Sequence, residues 1–231
     1  MYRIKSWKLA LLGLFFVCVF FALGCWQVQR ANEKKLLLKH FQERTQQNPL
    51  NQNNLSSNQD LRFYRVELLG EFDNSKNFLL DNKIYQQQIG YEIYTVFNTS
   101  QQSYLIDRGF LPIKNRRDEA PSIQPILGKV TIVAILNEPP RYFSLGGIKA
   151  SNNESWPLKI EYVDIKELSQ IAHQHLFPYV LMLSEKNALN YYPTEPQIIS
   201  MTPEKHMGYA VPWFALSLSL LIISLVLNRQ R

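Results

Sequence analysis

The residues best suited to chemistry lie at the start of the last apolar segment, where His206, Tyr209 and Trp213 follow one another closely. His206 and Trp213 are seven residues apart, so on a helix they lie within about 20° of each other, with Tyr209 or Ala210 between them. A neutral imidazole is a good axial ligand for haem iron, and a porphyrin favours flat aromatic walls. The residues alone favour a blander interpretation, an aromatic belt with a histidine at the level of the lipid headgroups.

A second set of such residues lies at the end of the first apolar segment. Trp26 and Arg30 are four residues apart and share a helix face, with Gln27 adjacent. Arg30 could pair with a carboxylate such as a haem propionate, or could extend to lipid phosphates. In a two-span protein both outer span ends lie in the same leaflet, so we expect this set to face His206, Tyr209 and Trp213.

The two apolar segments that carry these residues are long enough to cross a membrane. Leu9 to Trp26 has 18 residues and Gly208 to Leu227 has 20, and neither contains a charge. A bilayer core of about 30 Å takes roughly 20 helical residues. The sequence therefore predicts a protein anchored in the lipid bilayer at both ends.

The surplus positive charge lies beside these segments. The net charge is +6, from 25 basic and 19 acidic residues, and all the acids fall between residues 31 and 206. The surplus itself consists of Arg3, Lys5, Lys8, Arg30, Arg229 and Arg231. The pI of about 9.2 is thus explained by membrane flanks and indicates no nucleic-acid partner. The positive-inside rule predicts a bacterial inner-membrane protein with both termini cytoplasmic and the central domain periplasmic.

Two alternatives for the first span stay open at this point. A basic start followed by an apolar run is also typical of a cleaved signal peptide. Ala22-Leu23-Gly24-Cys25 resembles a lipoprotein cleavage box with Cys25 as the lipidated residue. We favour a retained anchor because the apolar run is long and Trp26, Gln27 and Arg30 suit a membrane interface.

The pattern between the spans predicts an external α+β domain, mostly antiparallel β with one or two helices. Strands are predicted at 63–72, 77–80, 91–97, 104–110, 130–136, 158–163 and 180–183. Asp164 and Glu167 can cap a helix in which apolar residues recur at helical spacing to Leu176, with Pro178 ending it. The predicted organisation is a cytoplasmic N-terminus (1–8), a first transmembrane helix (9–27), a helical extension (28–44), a polar linker (45–60), the external domain (61–205), a second transmembrane helix (206–227) and a cytoplasmic C-terminus (228–231).

The external domain offers poor material for catalysis. It contains no glycine-rich phosphate loop and no serine in a nucleophile-elbow setting. His173 and His175 would diverge by about 200° on a helix, so joint metal binding is not expected. We therefore expect a protein that is not an enzyme and has no catalytic residues.

Six motifs in order resemble the Surfeit locus protein 1 family of cytochrome c oxidase assembly factors, and the resemblance covers nearly the whole chain. They are Leu23-Gly24-Cys25-Trp26-Gln27-Val28-Gln29-Arg30, Phe63-Tyr64-Arg65-Val66 through Gly70-Glu71-Phe72, Gly90-Tyr91-Glu92-Ile93-Tyr94-Thr95, Ile106-Asp107-Arg108-Gly109-Phe110-Leu111-Pro112, Glu138-Pro139-Pro140-Arg141 with Trp156-Pro157, and His206-Met207-Gly208-Tyr209-Ala210-Val211-Pro212-Trp213-Phe214.

The resemblance implies two membrane helices, an external domain and a chaperone-like role in cytochrome c oxidase assembly. It further implies transient binding of haem a for insertion into oxidase subunit I, alongside other assembly factors. The iron ligand that the resemblance implies is His206. We expect Tyr209 and Trp213 to line the cofactor pocket, and Trp26 and Arg30 to complete it from the first span. The alternatives are a cofactor-free membrane-anchored scaffold that stabilises an oxidase intermediate, and a membrane-anchored hydrolase.

This sequence departs from the family's pattern at three positions. Val96 stands where the family usually has proline, and Phe110 where it usually has tryptophan. Pro212 replaces the glutamine before Trp213, which removes any hydrogen bond from that side chain. Pro212 would be tolerated at the first position of a helix, whereas deeper in the span it would kink the helix.

Overall fold

The computed structural model describes residues 7–55, 59–113, 121–140, 156–183 and 198–228. The chain divides into two compact units, a helical unit (Met1–His40 with Gln197–Arg231) and a strand unit (Phe41–Pro196). Of the predicted cytoplasmic ends, 1–8 and 228–231, only Trp7, Lys8 and the backbone of Asn228 lie within the described residues. The basic residues Arg3, Lys5, Arg229 and Arg231 lie outside them.

Two long apolar helices form the helical unit. Helix α1 runs from Trp7 to Thr45, and its residues from Phe41 onward are counted in the strand unit. The other helix, α3, runs from Pro203 to Asn228. Both are long and apolar enough to cross a membrane, which confirms the predicted pair of terminal apolar helices. Cys18 and Cys25 lie exposed on α1.

The described residues of the strand unit contain seven strands. They are β1 (Leu50–Asn51), β2 (Arg65–Tyr85), β3 (Gln88–Thr99), β4 (Ser103–Pro112), β5 (Val130–Asn137), β6 (Leu158–Ile160) and β7 (Leu176–Leu183). Pairing proceeds in the order β2-β3-β4-β7-β5 and returns from β5 to β2, so these five strands form a closed ring. Four of the five pairings in the ring are antiparallel and β4–β7 is parallel. The mostly antiparallel β prediction is therefore confirmed.

Strand β2 joins two segments that the sequence predicts as separate strands. Its first half pairs with β5 and its second half with β3. Its register against β3 shifts between Asp73 and Asn77 and again between Leu80 and Lys83. Such bulges let one strand bend and serve both sides of a small barrel.

The helix of the strand unit, α2, runs from Ile165 to Ala172. Asp164 caps it as predicted, because its Oδ1 accepts the backbone N–H groups of Lys166 and Glu167 at 2.8 and 3.0 Å. The predicted extension to Leu176 is wrong. His173 turns left-handed at φ 51° and ends the helix, and Leu176 begins β7, which contains Pro178. His173 and His175 consequently do not share a helix.

Charged groups occur inside the strand unit as well as apolar ones. Asp107 on β4 is 4% exposed, and its Oδ1 accepts the Gly109 backbone N–H at 2.8 Å. Burial, together with the neighbouring Glu92 carboxyl on β3, raises the pKa of Asp107 well above its usual value. Glu92 in turn forms an ion pair with Lys83 on β2 at 2.7 Å. The apolar core of this unit contains fully buried residues such as Phe78 and Leu79.

Candidate functional site: the paired apolar helices

The helices α1 and α3 pack along a seam in which contact residues alternate three and four positions apart. The seam residues of α1 are Gly13, Val17, Phe20, Gly24 and Gln27, and they meet, in that order, Ser224, Ser217, Trp213, Phe214 and His206 of α3. Ala31 and Ala210, both buried, continue the same spacing. This spacing is typical of helices that cross at a shallow angle with interdigitating side chains. The many small residues allow the two backbones to approach closely, as is common for helices packed in lipid.

The polar end of the seam holds the predicted ligand. His206 Nδ1 lies 2.8 Å from Gln27 Oε1. Because a carbonyl oxygen only accepts, this contact is a hydrogen bond when Nδ1 carries a hydrogen and donates to Gln27 Oε1. A ring with its hydrogen on Nδ1 alone has a lone pair on Nε2, the form in which imidazole binds a metal. Within the described parts of the chain, no contact to Nε2 competes for that lone pair.

Trp213 lies on the same face of α3 as His206, as its spacing predicts. Its ring stacks on Phe20 of α1, with centroids 5.9 Å apart and planes inclined by 29°. Ala210, and not Tyr209, lies between His206 and Trp213 on the buried face. One turn away, Gly24 leaves room for the ring of Phe214, because a Cβ at Gly24 would stand 2.6 Å from that ring.

The other three predicted site residues lie beside the seam. Tyr209 is 53% exposed and Trp26 is 47% exposed, so both offer open aromatic faces. The Arg30 guanidinium lies 5.8 Å from the Trp26 ring and forms a 2.8 Å ion pair with Glu33. The hydrogen bonds from Arg30 and then Gln29 lower the pKa of Glu33. The described contacts of Arg30 thus lie on its own helix, whereas Gln27 is the residue brought to His206.

Pro212 lies well inside α3. The helix begins at Pro203, which takes the first position, so Pro212 is the tenth residue. There it cannot donate to the carbonyl of Gly208, and its ring crowds that turn. Gly208 has open space around it, and the helix continues without a break to its end.

This set of groups fits an iron porphyrin in its chemistry. It supplies one imidazole nitrogen with an available lone pair, two exposed aromatic faces and a guanidinium that can meet a carboxylate. A site built from several protein ligands has no counterpart here. Within the described ranges, no group of three or more His, Cys, Asp or Glu side chains could hold a metal ion.

Gln27 is the residue that sequence reasoning undervalued. It was expected at this level of the membrane but was left out of the predicted site. The signal that finds it is the spacing Phe20, Gly24, Gln27, Ala31, which places an amide at a seam position between small residues. A polar side chain at such a position indicates a specific partner on the facing helix.

Comparison with known proteins agrees with the motifs. A sequence model of the SURF1 family matches residues 14–218. A SURF1-like protein of Rickettsia felis is 26% identical over 96% of this chain and 98% of its own length, and one of Rickettsia bellii is 27% identical over 96% and 91%. Surfeit locus protein 1 of Xenopus tropicalis is 25% identical over 85% of this chain and 68% of its own. Since the family match covers most of the chain, the protein belongs to the SURF1 family.

Proposed function

We propose that this protein is a membrane-anchored, non-enzymatic assembly factor for cytochrome c oxidase that binds haem a transiently and aids its insertion into subunit I. The single observation that carries the proposal is the Gln27–His206 hydrogen bond, which leaves Nε2 of a seam histidine available as a ligand. Family membership supports the oxidase as the destination.

The residues of the helical unit have distinct roles in this proposal. His206 Nε2 ligates the iron, while the exposed rings of Tyr209 and Trp26 cover apolar porphyrin surface. Trp213 holds the seam closed through Phe20. Arg30 exchanges its Glu33 partner for a propionate, which has the same carboxylate chemistry. When bound, the haem would supply its iron, its propionates and its apolar macrocycle to these contacts.

The proposed location is the bacterial inner membrane, with both chain ends cytoplasmic and the strand unit periplasmic. Basic residues before the first span and after the second span support this orientation. It places Trp26 and His206 in the outer leaflet. Oxidase subunit I and other assembly factors would then meet the protein at the periplasmic side of the bilayer.

An absorption spectrum of the membrane-purified protein from cells that make haem a tests the proposal. We expect a haem spectrum in the native protein, loss of that spectrum in His206→Ala, and no change in His40→Ala, which removes another histidine from the helical unit. Unchanged haem content and oxidase maturation in His206→Ala would contradict the ligand assignment. A haem-free native protein that still co-purifies with subunit I would instead favour a cofactor-free scaffold.

A further inference from the structure

We infer that Gln27 is a positioning residue for His206. Its Oε1 accepts a hydrogen bond from Nδ1–H, and so selects the tautomer in which Nε2 keeps its lone pair for the ligand. The distance of 2.8 Å between Nδ1 and Oε1 carries this inference. The identity of the ligand, a haem iron, rests on the proposed function. The tautomer itself does not, because it is a property of the protein alone.

The surroundings of the pair favour a fixed geometry. Gln27 is half-buried between Gly24 and Ala31, both of which are buried, and His206 is half-buried on the facing helix. An imidazole has two nitrogens, and the partner of one decides which of them is left to bind a metal. In metal sites such partners orient the ring and raise the basicity of the ligating nitrogen.

A simpler function for the same bond is to hold the helices together. The seam contains another interhelical hydrogen bond, which does not involve His206: Ser217 Oγ donates to the Val17 carbonyl oxygen at 3.0 Å. Hydrogen bonds of this kind contribute little each to helix association in lipid. Ser217→Ala is therefore a matched control, since it removes an interhelical hydrogen bond without touching His206.

The first experiment is to record the imidazole ¹⁵N spectrum of the full-length, haem-free protein in lipid nanodiscs, with the His206 signals identified by their absence in His206→Ala. We expect Nδ1–H in the native protein and in Ser217→Ala, and loss of this preference in Gln27→Met, which keeps the side-chain length but not the acceptor. Titration with haem should then show binding about 10–100-fold weaker in Gln27→Met, with Ser217→Ala unchanged.

Gln27→Glu is the conservative variant and keeps an acceptor in the same place. We expect it to retain the Nδ1–H tautomer and native haem affinity, and to lower the reduction potential of the bound haem, because a carboxylate makes the imidazole a stronger donor. This second variant also covers the case in which Gln27→Met fails to fold, which the helical circular dichroism of the sample reveals.

The outcomes separate this inference from the proposed function. Native tautomer and native affinity in Gln27→Met would overturn the inference, even if His206→Ala still abolished haem binding and so left the proposed function standing. An unchanged potential in Gln27→Glu would also count against it. If His206→Ala bound haem normally, the proposed ligand would be wrong, whereas the tautomer measured without haem would still report on Gln27.

Discussion

The helical unit and the strand unit treat polar groups in opposite ways. In the helices a few polar side chains lie among small residues along a seam, and one of them, His206, keeps a nitrogen available. In the strand unit a carboxyl group lies inside a closed ring of strands: Asp107 is buried beside Glu92, and Glu92 pairs with the partly exposed Lys83. The two units therefore offer different tests, haem binding for the helices and unfolding stability for the strands.

Removing a buried aromatic ring from the strand unit should have the largest effect, and it should separate the stability of that unit from haem binding by the helical unit. Phe78 is fully buried and packs edge-on against Trp156, with ring centroids 5.1 Å apart. Phe78→Ala should lower the free energy of unfolding of this unit by about 3–5 kcal/mol, measured by denaturant titration. Haem binding by the helices should persist. The exposed Leu69→Ala on the same strand is the control, and loss of haem binding in Phe78→Ala alone would show that the site needs the strand unit.

Closing the gap at Gly24 should break the helical unit and leave the strand unit intact. Gly24→Ala places a methyl group where the Phe214 ring lies, so we expect the helix pair to weaken by about 1–3 kcal/mol and haem affinity to fall. Haem titration and the thermal stability of the helices measure both effects. Gly208→Ala adds the same methyl group into open space and should leave binding unchanged, so equal losses in both variants would refute the packing argument.

The buried carboxyl of the strand unit predicts a pH dependence that the helices should lack. The pKa of Asp107 is raised in the folded state. The stability that its proton contributes is therefore fully present below the unfolded pKa of about 4, and is lost as the pH rises through the folded pKa. Between the two pKa values, the free energy of unfolding should fall by at most about 1.4 kcal/mol per pH unit. Asp107→Asn mimics the protonated form and should flatten this part of the profile.

The measurement is the unfolding free energy of the strand unit at a series of pH values. Asp164→Asn is a suitable control, since Asp164 is also a carboxylate but caps α2 at the surface. A native profile that does not fall with rising pH would be inconsistent with the raised pKa of Asp107 in the folded state.

The smallest expected effect concerns the ion pair beside the seam. Glu33→Gln removes the carboxylate that holds Arg30, and exposed ion pairs of this kind contribute little to stability. Arg30 would then be freer to meet a propionate, and haem affinity should rise by a few-fold at most. Titration in low and high salt tests this, since the gain should shrink as charges are screened. A decrease in affinity would mean that Glu33 itself orients Arg30 productively.

Much of the fold follows from local patterns. Charge-free runs of sufficient length predict the two apolar helices, and the alternation in β3 predicts a strand with two faces. Asp164 marks the start of α2 because its side chain can cap a helix. The end of α2 escapes such reasoning, since His173, which is not a glycine, adopts the left-handed conformation there. The closure of the ring depends on bulges in β2 that no local pattern signals.

The candidate site was partly predictable for the same reason. The seven-residue spacing places His206 and Trp213 on one face, and that geometry is intrinsic to a helix. Which α1 residue meets His206 is decided by how two helices register against each other. That register depends on Gly24, where a Cβ would meet the Phe214 ring. The sequence places Gln27 near His206 through its spacing, but the structure is needed to single it out from Trp26 and Arg30 as the hydrogen-bond partner.

Counting the free thiols of α1 shows whether the first apolar segment is retained or is cleaved and lipidated at Cys25. Cys18 and Cys25 are the chain's only cysteines, they are seven residues apart, and both face outward. A retained anchor therefore carries two sulfhydryl groups that can be alkylated, about 10 Å apart along the helix axis. A protein that is cleaved before Cys25 and lipidated there would carry no free sulfhydryl group, because Cys18 is lost with the removed peptide and Cys25 is itself modified. Alkylation of the denatured protein followed by mass measurement thus distinguishes the two fates without altering a single residue.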